Sequence, residues 1–140
     1  QLLGFRGAPG NTINHTTSYW VPNHSPKVFV EQVDVVCGIG YDRAAGLGPT
    51  SARFHEIRRV VSNLAVFDFA APSSDDGVVP TMRLRSVHPG VSVDQVVEAT
   101  GFALLIPDDV PTSRGPEGVE VEELERIDPD GLRFNEVPDA

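Results

Sequence analysis

Arg58-Arg59-Val60-Val61-Ser62-Asn63-Leu64, followed by Ala65-Val66-Phe67-Asp68-Phe69, sets two runs of β-branched and aromatic residues on either side of a polar Asn63. Branched and aromatic side chains pack well on a pleated surface. The pair therefore predicts two strands joined by a tight turn near Asn63-Leu64. In the second run Val66 and Asp68 fall on one face and Phe67 and Phe69 on the other, the two-residue period of a strand. Beyond a polar turn at Pro72 to Gly77, Met82-Arg83-Leu84-Arg85-Ser86-Val87 alternates again, with Leu84 opposite Arg83 and Arg85. Three successive strands predict an antiparallel meander.

Toward the C-terminus, Ser92 and Gln95 form a capping box that starts a helix. Val91 and Val96 are spaced for a hydrophobic staple, Val93, Val96 and Val97 share a face, and Gly101 is placed as the C-cap. Phe102 to Ile106 is an apolar run that predicts a strand stopped by Pro107. Pro107 to Gly118, with three prolines and two glycines, predicts a loop. A short acidic helix over Glu120–Ile127, a turn at Asp128-Pro129-Asp130-Gly131 and a tail complete the chain. This divides it into a core, 1–107, and an acidic segment, 108–140.

Toward the N-terminus, Tyr41 to Arg53 contains Gly46, Gly48 and Pro49 and predicts a loop. Asp34-Val35-Val36-Cys37 predicts a short buried strand ended by Gly38-Ile39-Gly40. The β-branched residues of Val28–Val33 suit helix or strand, and Ser25 as N-cap with Pro26 at the first helical position favours one or two helical turns. Thr16-Thr17-Ser18-Tyr19-Trp20-Val21 predicts a strand. It is preceded by Gly4-Phe5-Arg6-Gly7-Ala8-Pro9-Gly10-Asn11-Thr12-Ile13-Asn14-His15, with three glycines and a proline in its first seven residues. Such a loop lets backbone approach a ligand closely and can turn N–H groups toward an anion or a developing oxyanion. The same residues also suit a plain surface turn.

The 140 residues are enough for one domain. No apolar run approaches the ~20 residues of a membrane span, and the N-terminus has no signal-peptide pattern. The chain opens at Gln1-Leu2-Leu3 without an initiator Met, which predicts a fragment or a processed chain. Net charge is −9, with six bases and five acids in residues 1–70 and five bases and fifteen acids in residues 71–140. A chain this acidic lacks the basic face that nucleic acid requires. The single cysteine, Cys37, cannot form an internal disulfide, which fits a reducing cytoplasm. Within its apolar run it is expected to be a small buried hydrophobe.

His15, His24, His55 and His88 have no metal-site spacing, and there is no Gly-x-Ser-x-Gly elbow or Walker loop. Among the carboxylates of the first half, Asp42 follows a glycine-flanked strand end, where it could serve a site or cap a loop. Asn11, Asn14 and His15 could orient a carbonyl or a water, or simply bond their own loop.

Gly7-Ala8-Pro9-Gly10-Asn11, the strand to Trp20, the run from His24-Ser25-Pro26 to Tyr41-Asp42, Val60 to Phe69, and Ser86-Val87-His88-Pro89-Gly90-Val91 with the helix to Ala99-Thr100-Gly101-Phe102 resemble, in order, the β subunits of class I CoA-transferases. Within that family Arg6-Gly7, Pro9 to His15 and Thr17 to Val21 are most similar to the branch of steroid ring-opening acyl-CoA hydrolases. Ordinary transferases have a loop more like Gly-Ser-Gly-Gly followed by Asn-Asp. Here Pro9 takes a glycine position and Asn14-His15 follows, a departure that speaks against simple CoA transfer.

The resemblance implies an α/β fold with an open mixed sheet of the class I CoA-transferase type, as a partial subunit. It implies a homologous α subunit as partner in an α2β2 assembly with the active site between subunits. Coenzyme A would enter as part of an acyl-CoA substrate, with no bound cofactor, no metal, no nucleic acid and no membrane. Transferases attack the thioester with a glutamate. The ring-opening branch adds water across a C–C bond of a cyclic β-keto acyl-CoA, with its proton-transfer glutamate expected on the α subunit. No residue here matches the transferase glutamate. The positions carried over are Gly7, Ala8, Gly10 and Asn11 lining the site, with Asn14 and His15 as polar contacts. A domain that only completes its partner's fold is the alternative of another class.

Overall fold

A computed structural model describes residues 12–13, 15–36, 38–50, 52–70 and 80–135. Along the chain come β1 (Thr16–Val21), α1 (Tyr41–Ala45), β2 (Glu56–Ser62), β3 (Ala65–Phe69), β4 (Met82–Val87), α2 (Val93–Glu98), α3 (Gly118–Ile127) and a 3-10 turn over Leu132–Asn135. The strands form one sheet in the order β1-β2-β3-β4. β1 runs parallel to β2, whereas β2–β3 and β3–β4 are antiparallel. The sheet is mixed, and the expected meander is its antiparallel part.

Two register shifts decide which side chains meet. Between β1 and β2, Thr17 pairs with Ile57 and Ser18 with Arg59, so Arg58 is skipped. Ile57 and Val60 thereby both pack toward the core. Between β3 and β4, Val66 pairs with Ser86 and Phe67 with Leu84, skipping Arg85. Arg85 then joins Arg83 at Asp68. The Asp68 carboxylate accepts from Arg83 Nε and Nη2 at 2.8 and 2.9 Å and from Arg85 Nη1 at 3.2 Å. Hydrogen bonds from Arg83, more than any other cause, hold its carboxyl below the usual carboxylate range. Phe67 and Leu84 face the other way, fully buried, in a core with Phe29, Val60, Ala65, Val87 and Val96. Each large side chain so buried contributes roughly 1.5–3 kcal/mol.

The Ser92 capping box forms as expected: the Ser92 hydroxyl accepts from Gln95 N–H and the Gln95 amide oxygen accepts from Ser92 N–H. Val96 is the α2 residue that enters the core, whereas Val97 is 44% exposed and not on that face. Gly101 is not the cap. Ala99 is, and Gly101 instead bridges Val30, its N–H donating to the Phe29 carbonyl at 2.7 Å. A Cβ there would meet that oxygen at 2.6 Å, so close backbone approach is what requires glycine.

Other expectations are corrected. Asp34, Val35 and Val36 form no strand and lie exposed, because no neighbouring strand pairs with them among the described residues; Cys37 lies outside the described residues, as does Pro72 to Gly77. Tyr41–Ala45 is a helix rather than loop, closed by the Ala44 N–H to Gly40 carbonyl bond. The helical turns after Ser25 reduce to one, in which Phe29 N–H donates to the Ser25 carbonyl. Among the described residues Phe102–Ile106 pairs with β4 at Leu105 alone, whose backbone bonds Met82 and Leu84, so no regular strand forms. α3 forms where acidic helix was expected, with no buried residue. No helix among the described residues is long and apolar enough to cross a membrane.

Candidate functional site

Parallel pairing brings the N-terminal ends of β1 and β2 side by side, with Thr16 opposite Glu56. There His15, Thr16, Arg53, Phe54, His55 and Glu56 line an open groove of about 600 Å³. The Thr16 hydroxyl donates to Glu56 Oε2 at 2.7 Å, and Arg58 Nη2 donates to the same oxygen at 3.1 Å. The Thr16 hydrogen bond, then those of Arg58, hold the Glu56 carboxyl below its usual range. Glu56 is thus held in its charged form by Thr16 and Arg58.

His55 is held more rigidly. Its Nδ1 lies 2.5 Å from the carbonyl oxygen of Thr12. A carbonyl only accepts, so Nδ1 carries the hydrogen. Nε2 is buried and has no hydrogen-bond partner among the described residues. Tyr41 stands edge-on to the ring, centroids 5.0 Å apart. The Tyr41 hydroxyl accepts from Ile57 N–H at 3.0 Å and donates to the Ile57 carbonyl at 3.4 Å. Thr12 is itself buried, and its hydroxyl accepts from Ile39 N–H at 2.9 Å.

Of the residues singled out in sequence, His15 is described, exposed and on the groove. Gly7, Ala8, Gly10, Asn11 and Asn14 lie outside the described residues. Asp42 is exposed in the first turn of α1 and does not line the groove. Sequence reasoning did not single out His55 or Tyr41. The available signal was Phe54-His55-Glu56 just before a predicted strand, but pairing with a strand forty residues earlier was invisible.

Two more histidines meet serines. His24 Nδ1 is 2.9 Å from the Ser62 hydroxyl and Nε2 is 3.0 Å from that of Thr100, and the ring stacks on Phe29 at 3.8 Å. His88 Nδ1 lies 2.7 Å from the Ser113 hydroxyl and Nε2 2.9 Å from the Ser62 carbonyl. Ser62 is fully buried and His24 nearly so. These contacts tie β2 to flanking segments; a substrate could not reach Ser62. Among the described residues no group of three His, Cys, Asp or Glu is placed to hold a metal ion.

No family model matches the chain. It is 47% identical over 138 residues to the cholesterol ring-cleaving hydrolase IpdB subunit of Rhodococcus jostii, covering 98% of this chain and 52% of that protein. Its structure superposes on the crystal structure of Rhodococcus jostii IpdAB with a TM-score of 0.83 and 45% identity, across 99% of this chain and 54% of that one. Glutaconate coenzyme A-transferase from Acidaminococcus fermentans shares the fold, with a TM-score of 0.66 and 20% identity, across 85% of this chain and 44% of that one. The chain spans about half the length of the curated relatives it matches.

Proposed function

We propose that this chain, which shares its fold with glutaconate coenzyme A-transferase, is a class I CoA-transferase family member and part of the β subunit of a two-subunit enzyme that opens a ring of a cyclic β-keto acyl-CoA in steroid breakdown. The observation that carries the reading is 47% identity across 98% of the chain to a ring-cleaving hydrolase subunit. Gly7, Ala8, Gly10 and Asn11 line the substrate site, with Asn14 and His15 as polar contacts. A homologous α subunit, in an α2β2 assembly in the cytoplasm, supplies the proton-transfer glutamate. Coenzyme A is part of the substrate, and no other cofactor takes part.

In the reaction water adds to the ring ketone, and the bond between that carbon and the carbon next to the thioester breaks. The electron pair leaves as the thioester enolate, which takes up a proton. The ketone carbon becomes a carboxylate and the thioester stays intact. Backbone N–H groups of a glycine loop suit the oxyanion formed when water adds. Glu56, the carboxylate of the groove that His15 lines, is already paired with Thr16 and Arg58, which supports a proton-transfer group on the partner subunit.

The complex is assayed in heavy-oxygen water with a cyclic β-keto acyl-CoA and acetate together. A ring-opened product that keeps its CoA and gains one labelled oxygen is expected. Acetyl-CoA with an unopened free acid would mean CoA transfer, the second reading, which the shared fold with glutaconate coenzyme A-transferase favours. Unchanged turnover in both Gly10→Val and Asn14→Ala would leave this chain a silent structural partner.

A further inference from the structure

Thr12 stands between the glycine-rich run and β1, and two anchors from far along the chain fix it. Ile39 N–H holds its hydroxyl across 27 residues and His55 holds its carbonyl across 43. The second anchor is a stiff one. Tyr41 packs edge-on against the imidazole and is itself pinned to the backbone of Ile57 in β2. Nε2 has no partner among the described residues, so the contact with Thr12 is the ring's whole polar anchorage there. Among the described residues, that carbonyl is the imidazole's hydrogen-bond partner.

We propose that His55 is a positioning residue for the acyl-CoA reaction: through Thr12 it sets where the glycine-rich run enters β1. This rests on the reading in which that run lines the substrate site. His55 touches the backbone at Thr12, and its effect is on geometry. Misplacing reacting groups by about 1 Å can cost about a hundredfold in rate. The side chain also joins the two parallel strands at their shared end, since it precedes β2 and grips the approach to β1.

The test is the steady-state kinetics of the two-subunit complex with a cyclic β-keto acyl-CoA, for His55→Asn, His55→Gln and His55→Phe. Asparagine can place an amide N–H near the position of Nδ1 and nothing at Nε2. Glutamine reaches toward Nε2 instead. Phenylalanine keeps the ring edge against Tyr41 without any donor. The Phe and Gln variants are expected to lose about tenfold or more in kcat, with KM within about twofold of the unvaried enzyme. The Asn variant is expected to recover most of the loss. Full kcat in His55→Phe overturns the proposal. So does Gln outperforming Asn, or an equal loss in all three without rescue. Should His55→Phe not assemble, Asn against Gln decides. Gly10→Val and Asn14→Ala separate the two levels: unchanged turnover in both defeats the functional reading itself, whereas an inactive Gly10→Val beside an active His55→Phe defeats only the role of His55.

Discussion

His24 Nδ1 lies 2.9 Å from the hydroxyl of Ser62, inside the core. At the other side of the ring Nε2 lies 3.0 Å from the Thr100 hydroxyl, which donates its own hydrogen to the Val96 carbonyl at 2.7 Å. Thr100 can therefore only accept from the ring, so Nε2 carries the hydrogen and Nδ1 accepts from Ser62. Both nitrogens are satisfied in the neutral ring, and a second ring proton would displace the Ser62 hydrogen.

Burial lowers the His24 pKa from 6.5 to about 4. An unfolded chain takes up a proton below pH 6.5 that the folded chain refuses until about pH 4. The stability tied to His24 is therefore complete above pH 6.5 and is lost as pH falls from 6.5 toward 4, at about 1.4 kcal/mol for each pH unit. In the assembled protein His24→Leu should melt well below the unvaried form at pH 7.5 and the gap should shrink steadily toward pH 5. A gap that stays constant with pH would show that the ring titrates alike in both states.

Asp68 is 8% exposed and gathers Arg83, Arg85 and Arg59 from the strands on either side. Removing its charge leaves three guanidinium groups facing one another. In the assembled protein Asp68→Asn should lower the melting temperature by several degrees, and Glu123→Gln, at an exposed pair with Arg126, should leave it almost unchanged. Added salt should shift the exposed pair's contribution more than the Asp68 cluster's. Equal, small effects in the two variants would mean that the cluster is merely a solvated surface.

Gly101 tests the packing of the turn after Ser25 on the segment after α2. An added methyl would lie 2.6 Å from the Phe29 carbonyl oxygen, whereas at Gly115 it would meet nothing within 4 Å. Gly101→Ala should destabilise by about 1–3 kcal/mol, as overpacking does. Gly115→Ala should be neutral or slightly stabilising through the unfolded chain. Urea melts of both variants in the assembled protein decide; an unaffected Gly101→Ala would mean that the two segments separate easily.

What was legible in the sequence followed from local rules. Val60–Phe69 and Met82–Val87 alternate because one face of the sheet is core, and Ser92 with Gln95 closes a cap within one turn. What was missed depends on partners distant in sequence. Gly101 looked like a helix end, yet its neighbour is Phe29. Asp34–Val36 looked like a strand, but strands exist only as pairs. The site divides in the same way. A glycine-rich run announces itself by composition, whereas His55 acquires meaning only when the parallel pairing of β1 and β2 carries it to Thr12.

The apolar side of the sheet yields the last prediction. Tyr19, Val21, Val28, Val33, Val60, Met82 and Phe102 border one shallow groove, and Tyr19, Val36, Ile39, Ile57, Phe69 and Met82 border its neighbour. Tyr19 is 37% exposed, Val28 40% and Val36 41%. A continuous apolar surface of this kind is uncommon on a stable monomer and normally packs against something. α3 adds to the difficulty, because Val119, Leu124 and Ile127 are exposed and none of its residues is buried. The 140-residue chain produced alone should bind a hydrophobic dye, melt without a cooperative transition and tend to aggregate. Supplying a chain that corresponds to the remaining half of the relatives' length should restore a sharp melt and abolish dye binding. A soluble, cooperatively melting chain on its own would show that the four-stranded sheet and its core of Phe29, Phe67, Leu84 and Val96 suffice for folding.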